Sequence, residues 1–129
     1  MPATGVTGVD LYTYDRDGQE VYLSGKYQFK DTVSFTYTPI NIEKKPKSQR
    51  YTLYLPLYND VKWMEIGVED GAEFRFEPVV PAKPIVAYGT SICQGACASR
   101  PAMAWTNILQ RRLGHEVVNM GFSGNAFME

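Results

Sequence analysis

The sequence predicts a β-sandwich, jelly-roll-like, followed by the first βαβ unit of an α/β domain. Three observations lead there. About six strand-like segments recur at roughly 8–12 residue spacing before residue 80, with no helical period among them. Three prolines fall within Pro78-Val79-Val80-Pro81-Ala82-Lys83-Pro84, a stiff segment that cannot continue a sheet. After it, two apolar runs flank one amphipathic helix. The expected domains are residues 1–80 and 81–129.

In the first part, Val6 to Tyr14 is rich in β-formers and runs into Asp15-Arg16-Asp17-Gly18, whose Asp-Gly pair signals a hairpin. Glu20 to Leu23 is the return strand. Val33, Phe35 and Tyr37 alternate with Ser34, Thr36 and Thr38, a half-buried strand by period two. Tyr51 to Tyr58 reads as an aromatic and leucine strand interrupted by Pro56. Asn59-Asp60 turns into a strand over Val61 to Val68, and Glu69-Asp70-Gly71 turns into another over Ala72 to Phe76.

In the second part, Ile85 to Tyr88 is a continuous apolar run, as in a parallel strand buried on both faces. Trp105, Ile108, Leu109 and Leu113 share one helical face. Pro101 suits a first turn, Arg111-Arg112 suits the negative end of the helix dipole, and Gly114 suits the position after the last turn. Glu116 to Met120 is the next strand, joined by a right-handed crossover. So small a parallel unit leaves its sheet uncovered, which predicts self-association through that face and a chain truncated at its C-terminus.

Composition excludes some functions. The 129 residues are 44% hydrophobic with a formal net charge of −1, which argues against a nucleic-acid or anionic-membrane surface. The basic run Glu43 to Arg50 carries proline and serine and reads as a solvated loop. No segment approaches the roughly 18 apolar residues of a membrane span. Met1 to Gly5 lacks the basic start and apolar core of a secretory leader. Cys93 and Cys97 form no disulfide framework, and with the lone His115 they are too few for a metal site, so no metal or cofactor is expected.

The chemistry gathers at the carboxyl ends of the two parallel strands. Ser91 follows Gly89-Thr90 after the first strand and precedes a helix, where backbone N–H groups can face an oxyanion. Gly124, after the second strand in Ser123-Gly124-Asn125, supplies a second N–H that glycine lets approach closely. A nucleophile with two oxyanion donors is one reading. A phosphate or nucleotide site at the Gly89–Gly95 turn is another, although no Gly-Lys-Ser/Thr signature or downstream acidic ribose reader accompanies it. Serine needs a base at neutral pH. His115 lies at the opposite end of its strand, about 15 Å away at the usual rise, and reads as a surface histidine capping the helix.

These residues resemble the SGNH/GDSL hydrolases. Gly89-Thr90-Ser91-Ile92 matches the family's first block, and Asn119-x-Gly121-x-Ser123-Gly124-Asn125 its second. A subgroup with an N-terminal β-sandwich is more similar still, through Gln94 to Pro101, Trp105 to Leu109, Met1 to Tyr12 and Leu53 to Asn59. The resemblance implies a flavodoxin-like three-layer hydrolase domain. It implies that Ser91 is the nucleophile and an oxyanion donor, that Gly124 is the second donor, and that Gly89, Thr90 and Asn125 lie near the site. It implies a small ester substrate, with acylated carbohydrate as a candidate, and a bacterial periplasmic or secreted setting. Thr90 stands where many relatives carry aspartate, and Cys93 where threonine or another small residue is common. The Gly-x-Asn-Asp and Asp-x-x-His blocks are missing, so the chain alone is expected to be inactive; with relatives carrying further strands before Met1-Pro2-Ala3-Thr4-Gly5, the resemblance implies truncation at both ends.

The rival reading is a non-catalytic carbohydrate-binding or interaction module. Trp63 and the tyrosine-rich strands invite it, although aromatics alternating along strands are expected in a core. Met103, Met120 and Met128 are expected to fill apolar gaps.

Overall fold

The computed structural model describes residues 1–37, 49–78 and 82–127. Thr38, most of the basic run (Glu43 to Ser48), linker residues Val79 to Pro81, and Met128 lie outside the described residues.

Helix α1 (Ala3–Thr7) replaces the expected start of a strand at Val6. It is held from outside. The Leu57 and Asn59 N–H groups donate to the Gly5 and Val6 carbonyls, and the Thr4 hydroxyl donates to the Ser99 carbonyl. Strand β1 (Asp10–Tyr14) pairs antiparallel with β2 (Glu20–Leu23), and the Asp15 carboxylate closes the turn by accepting the Asp17 and Gln19 N–H groups. On its other edge β1 pairs with β5 (Tyr51–Tyr54), giving the order β2-β1-β5. The fifth strand stops before Pro56, which has no N–H for a ladder.

A separate hairpin joins β3 (Lys26–Gln28) to β4 (Ser34–Thr36). Tyr27, Phe29 and Phe35 cluster there, with ring centroids 5.0–6.3 Å apart. The strands expected over Val61 to Val68 and Ala72 to Phe76 do not form among the described residues, although the Ala72 N–H donates to the Glu69 carbonyl in the expected turn. Neither segment has a ladder partner there, and alternation alone does not hold a strand. Trp63, expected in a core, is 61% exposed, and Phe76 is 76% exposed. Met103 and Met120 are also exposed rather than filling gaps.

Strand β6 (Ile85–Gly89) pairs in parallel with β7 (Val117–Gly121), in register from Ile85 against Val117 to Gly89 against Gly121. Between them lie α2 (Ser91–Gln94), a 3₁₀ turn over Pro101–Met103, and α3 (Trp105–Leu113). Pro101 opens the 3₁₀ turn rather than α3, and Gly114 caps α3 in the left-handed region at φ 59°. Among the described residues each of these two strands has one neighbour, and Val86 and Tyr88 are exposed, in keeping with the expected uncovered sheet.

The two halves meet through aromatic rings and arginines rather than aliphatic packing. Tyr12, Tyr54 and Ala102 form the buried cluster. Arg100 lies 4.0 Å over the Tyr22 ring, and Arg111 lies 5.0 and 5.3 Å over Tyr12 and Tyr54. Asp10 accepts the Ala102 N–H at 2.8 Å and sits 4.0 Å from Arg100. Glu20 accepts the Tyr14 and Tyr54 hydroxyls at 2.8 and 2.9 Å and faces Arg111 at 3.8 Å. Rings shield these ion pairs from water while the carboxylates keep their hydrogen bonds, which is the condition under which buried charge is tolerated.

Candidate active site

The register of β6 on β7 brings Gly89 beside Gly121, so the two segments that follow leave the sheet at the same end. The Phe122 N–H then donates to the Gly89 carbonyl at 2.8 Å, extending the pairing by one bond. Ser91 opens α2, half-buried, and Thr90 precedes it, exposed. Ser123, Gly124 and Asn125 form an exposed turn in which the Asn125 N–H donates to the Phe122 carbonyl at 3.0 Å. The Asn125 side-chain amide donates to the Ser123 carbonyl at 3.1 Å.

On the β7 side of this end, most N–H groups are committed. Those of Phe122, Ser123 and Asn125 all donate within the protein. Among the described residues, those of Ser91 and Gly124 have no protein acceptor, and neither do those of Thr90, Ile92 and Cys93 in the first turn of α2.

The backbone at Gly124 itself calls for glycine. A side chain there would meet nothing within 4 Å, but φ is +76°, where only glycine sits without strain. A close approach within the protein occurs at Gly121. A Cβ on Gly121 would fall on the backbone N and Cα of Gln94. This contact seats α2 directly on the end of β7.

Asn119 fastens the same junction. Its Nδ2 donates to the Cys93 carbonyl at 3.1 Å and to the Thr106 hydroxyl at 2.9 Å, while its Oδ1 accepts the Gly121 N–H at 2.9 Å. The Trp105 indole N–H donates to the same Cys93 carbonyl at 3.1 Å, tying α3 to α2. Asn119, Gly121 and Gln94 enter the sequence motifs without a role of their own. A polar residue within each otherwise apolar strand or short helix was the available signal.

His115 stands at the far end of β7, where its Nε2 pairs with the Lys83 carbonyl at 2.8 Å. The sheet separates it from Ser91. Cys93 and Cys97 are both free thiols, and Cys93 lies under Gly89, where a Cβ would meet its own at 2.8 Å. Among the described residues no three His, Cys, Asp or Glu side chains group as metal ligands, and no helix is long and apolar enough to cross a membrane.

A serine turn and a glycine turn at the carboxyl ends of two parallel strands, carried behind an antiparallel sheet, define a class of α/β proteins whose members are found by comparison. Residues 82–129 match the GDSL-like lipase/acylhydrolase family. Residues 1–74 match the GxDLY family, described as the N-terminus of SGNH-hydrolase-type esterases, and Gly8-Val9-Asp10-Leu11-Tyr12 spells that signature. The chain belongs to the SGNH/GDSL hydrolase family. A crystal structure at 1.40 Å of a protein assigned as a GDSL-like lipase from Bacteroides ovatus is similar, at 37% identity and a TM-score of 0.82. The match covers 98% of this chain and 36% of that one. A comparison with curated proteins finds no match.

Proposed function

We propose that the protein carrying this chain is a serine ester hydrolase that works through an acyl-enzyme at Ser91. The observation that supports it most is the meeting of the Ser91 turn with the Gly124 turn, each with a backbone N–H lacking a protein acceptor among the described residues. Ser91 Oγ attacks the ester carbonyl and gives its proton to a base. The carbonyl oxygen takes up the electron pair and is held by the Ser91 and Gly124 N–H groups. Collapse of the tetrahedral intermediate releases the alcohol with that proton. Water then attacks the acyl-enzyme, the acid leaves, and Ser91 recovers its hydrogen. Gly89, Thr90 and Asn125 shape the surroundings.

The base, an imidazole oriented by a carboxylate, comes from outside these residues, since His115 is engaged at the other end of β7. The 129-residue chain alone is therefore inactive. The substrate class is a small ester, with acylated carbohydrate first. The full fold is a jelly-roll-like β-sandwich before a flavodoxin-like three-layer domain. The antiparallel sheet β2-β1-β5, the β3–β4 hairpin and the parallel pair β6–β7 support it as the pieces such layers need. Exposed Ile85, Val86, Tyr88 and Met120 favour coverage by further structure, and drive self-association of the isolated chain.

Hydrolysis of a short activated acyl ester by the full-length protein, beside its Ser91→Ala variant, tests this. A loss of at least about a thousandfold in turnover is expected. Unchanged turnover in Ser91→Ala removes the reading. A second reading, saccharide binding through the N-terminal part, rests on exposed Trp63, Phe74 and Phe76. Oligosaccharide binding by Ser91→Ala that disappears in Trp63→Ala would favour it.

A further inference from the structure

Gln94 ends α2, and its side-chain amide is used on both sides. Its Nε2 donates to the Leu57 carbonyl at 2.9 Å, and its Oε1 accepts the Ser123 N–H at 2.9 Å. The first partner belongs to the N-terminal part of the chain, and the second is the residue before Gly124. The rest of Gln94 is fixed as well. Its N–H donates to the Thr90 carbonyl at 3.0 Å, its carbonyl accepts Asn119 Nδ2 at 3.4 Å, and Gly121 abuts its backbone. A primary amide is one of few side chains that satisfy a carbonyl and an N–H with a single planar group. A carboxylate only accepts, and an ammonium only donates.

Of the other bonds at the Ser123–Gly124 turn, Asn125 N–H to Phe122 and Asn125 Nδ2 to Ser123 are local and close the turn, while Phe122 N–H to Gly89 ties its base to the end of β6. The bond from Ser123 to Gln94 ties the turn itself to a side chain of α2. It joins the residue preceding the Gly124 donor to the helix that begins with Ser91.

We propose that Gln94 is a positioning residue. Its amide aims the Gly124 N–H at the developing oxyanion and couples that aim to Leu57 in the N-terminal region. This rests on the ester-hydrolase reading. It makes the N-terminal part a support of the oxyanion hole rather than an independent appendage.

The test uses the full-length enzyme with Gln94→Met, which keeps the length and removes both hydrogen bonds, and Gln94→Glu, which keeps an acceptor and loses the donor to Leu57. Turnover of an activated acyl ester is normalised to the serine titrated by a fluorophosphonate, so that unfolded protein does not count. Affinity for an alkyl boronic acid, a tetrahedral mimic, is measured beside it. For Gln94→Met, kcat per titrated site is expected to fall about 10- to 100-fold with KM within about twofold, and boronate affinity to weaken by a similar factor. If Gln94→Met does not fold, Gln94→Glu is read the same way and is also expected to lower kcat per site. A lower thermal midpoint with unchanged kcat per site and unchanged boronate affinity overturns the positioning role. Ser91→Ala separates the two levels. If that variant is dead while the Gln94 variants keep their kcat, positioning alone fails. If Ser91→Ala is active, the hydrolase reading fails and the positioning role falls with it.

Discussion

The Asp10 carboxylate and the Ala102 N–H, 92 positions apart, form a 2.8 Å hydrogen bond where the N-terminal sheet meets the 3₁₀ turn ahead of α3. Asp10 is 3% exposed, and Ala102 is fully buried. Replacing Asp10 by alanine leaves a buried N–H without an acceptor and Arg100 without its carboxylate. A loss of about 2–3 kcal/mol is expected, since hydrogen bonds to charged groups are the costlier ones to break. Chemical denaturation of the full-length protein checks it, and a change within experimental scatter would remove Asp10 from the junction.

The same carboxylate predicts a pH dependence. Burial raises the Asp10 carboxyl above its ordinary 3.8 and outweighs the Ala102 N–H, Arg100 and Arg111, which all lower it. A carboxyl raised in the folded state contributes stability that is present below its unfolded value and lost as pH climbs through its folded value. The thermal midpoint of the wild type, measured relative to Asp10→Asn, is expected to decline as pH rises from about 3.8. Other carboxylates cancel in the difference. A difference that grows with pH would show that the arginines, not burial, govern this group.

Two glycines of the second motif should fail differently. Gly121→Ala drives a Cβ into the Gln94 backbone, which cannot move without lifting α2 from β7. It is expected to cost upwards of about 3 kcal/mol, at the top of the overpacking range. Gly124→Ala meets no atom within 4 Å and suffers only from φ +76°, a cost of about 1 kcal/mol. Denaturation midpoints of the two variants decide the matter. Equal destabilisation would sink the distinction between close approach and backbone conformation.

Asn119 couples α2 to α3 through the buried Thr106 hydroxyl at 2.9 Å. Asn119→Asp removes the amide donor and sets a carboxylate against the Cys93 carbonyl, for an expected loss of about 1–2 kcal/mol. Thr106→Val should cost less in that background than in the wild type, because the two share one bond. Strict additivity in the double-mutant cycle would mean that the bond contributes nothing.

What was legible in the sequence was what local chemistry decides. The Asp-Gly turn located β2 at Glu20–Leu23, and the spacing of Trp105, Ile108, Leu109 and Leu113 located α3. Strand β3 went unread because Lys26-Tyr27-Gln28 carries one apolar residue, and its pairing depends on Phe35 across the hairpin. Val61 to Val68 has strand-like composition but no ladder partner among the described residues, and pairing is a non-local property. The two turns that carry Ser91 and Gly124 were legible at the ends of β6 and β7 because turns after apolar strands announce themselves. Gln94 and Asn119 were not, since their importance lies in which carbonyls stand 3 Å away after folding. The packing of two arginines on a tyrosine face likewise depends on residues some ninety positions apart.

Tyr54 gives a prediction at the alkaline end. Its phenol is pushed up to about 12, first by burial, then by its hydrogen bond to Glu20 and the charge of that carboxylate, with Arg111 pulling the other way. A phenol raised in the folded state contributes stability that is complete below its unfolded value of 10.0 and is lost as pH rises toward about 12. Tyr54→Phe removes that contribution. At neutral pH the variant also lacks the 2.9 Å bond to Glu20 and should be less stable by about 1–2 kcal/mol. Between pH 10 and about 12 the gap should narrow, because the wild type must bury a phenolate or unfold while the variant has no proton to lose there. Tyr37, also pushed up to about 12, stays in both proteins and cancels. Parallel denaturation of the two proteins across this range reads the gap directly, and a constant gap would mean that Tyr54 ionises as freely folded as unfolded.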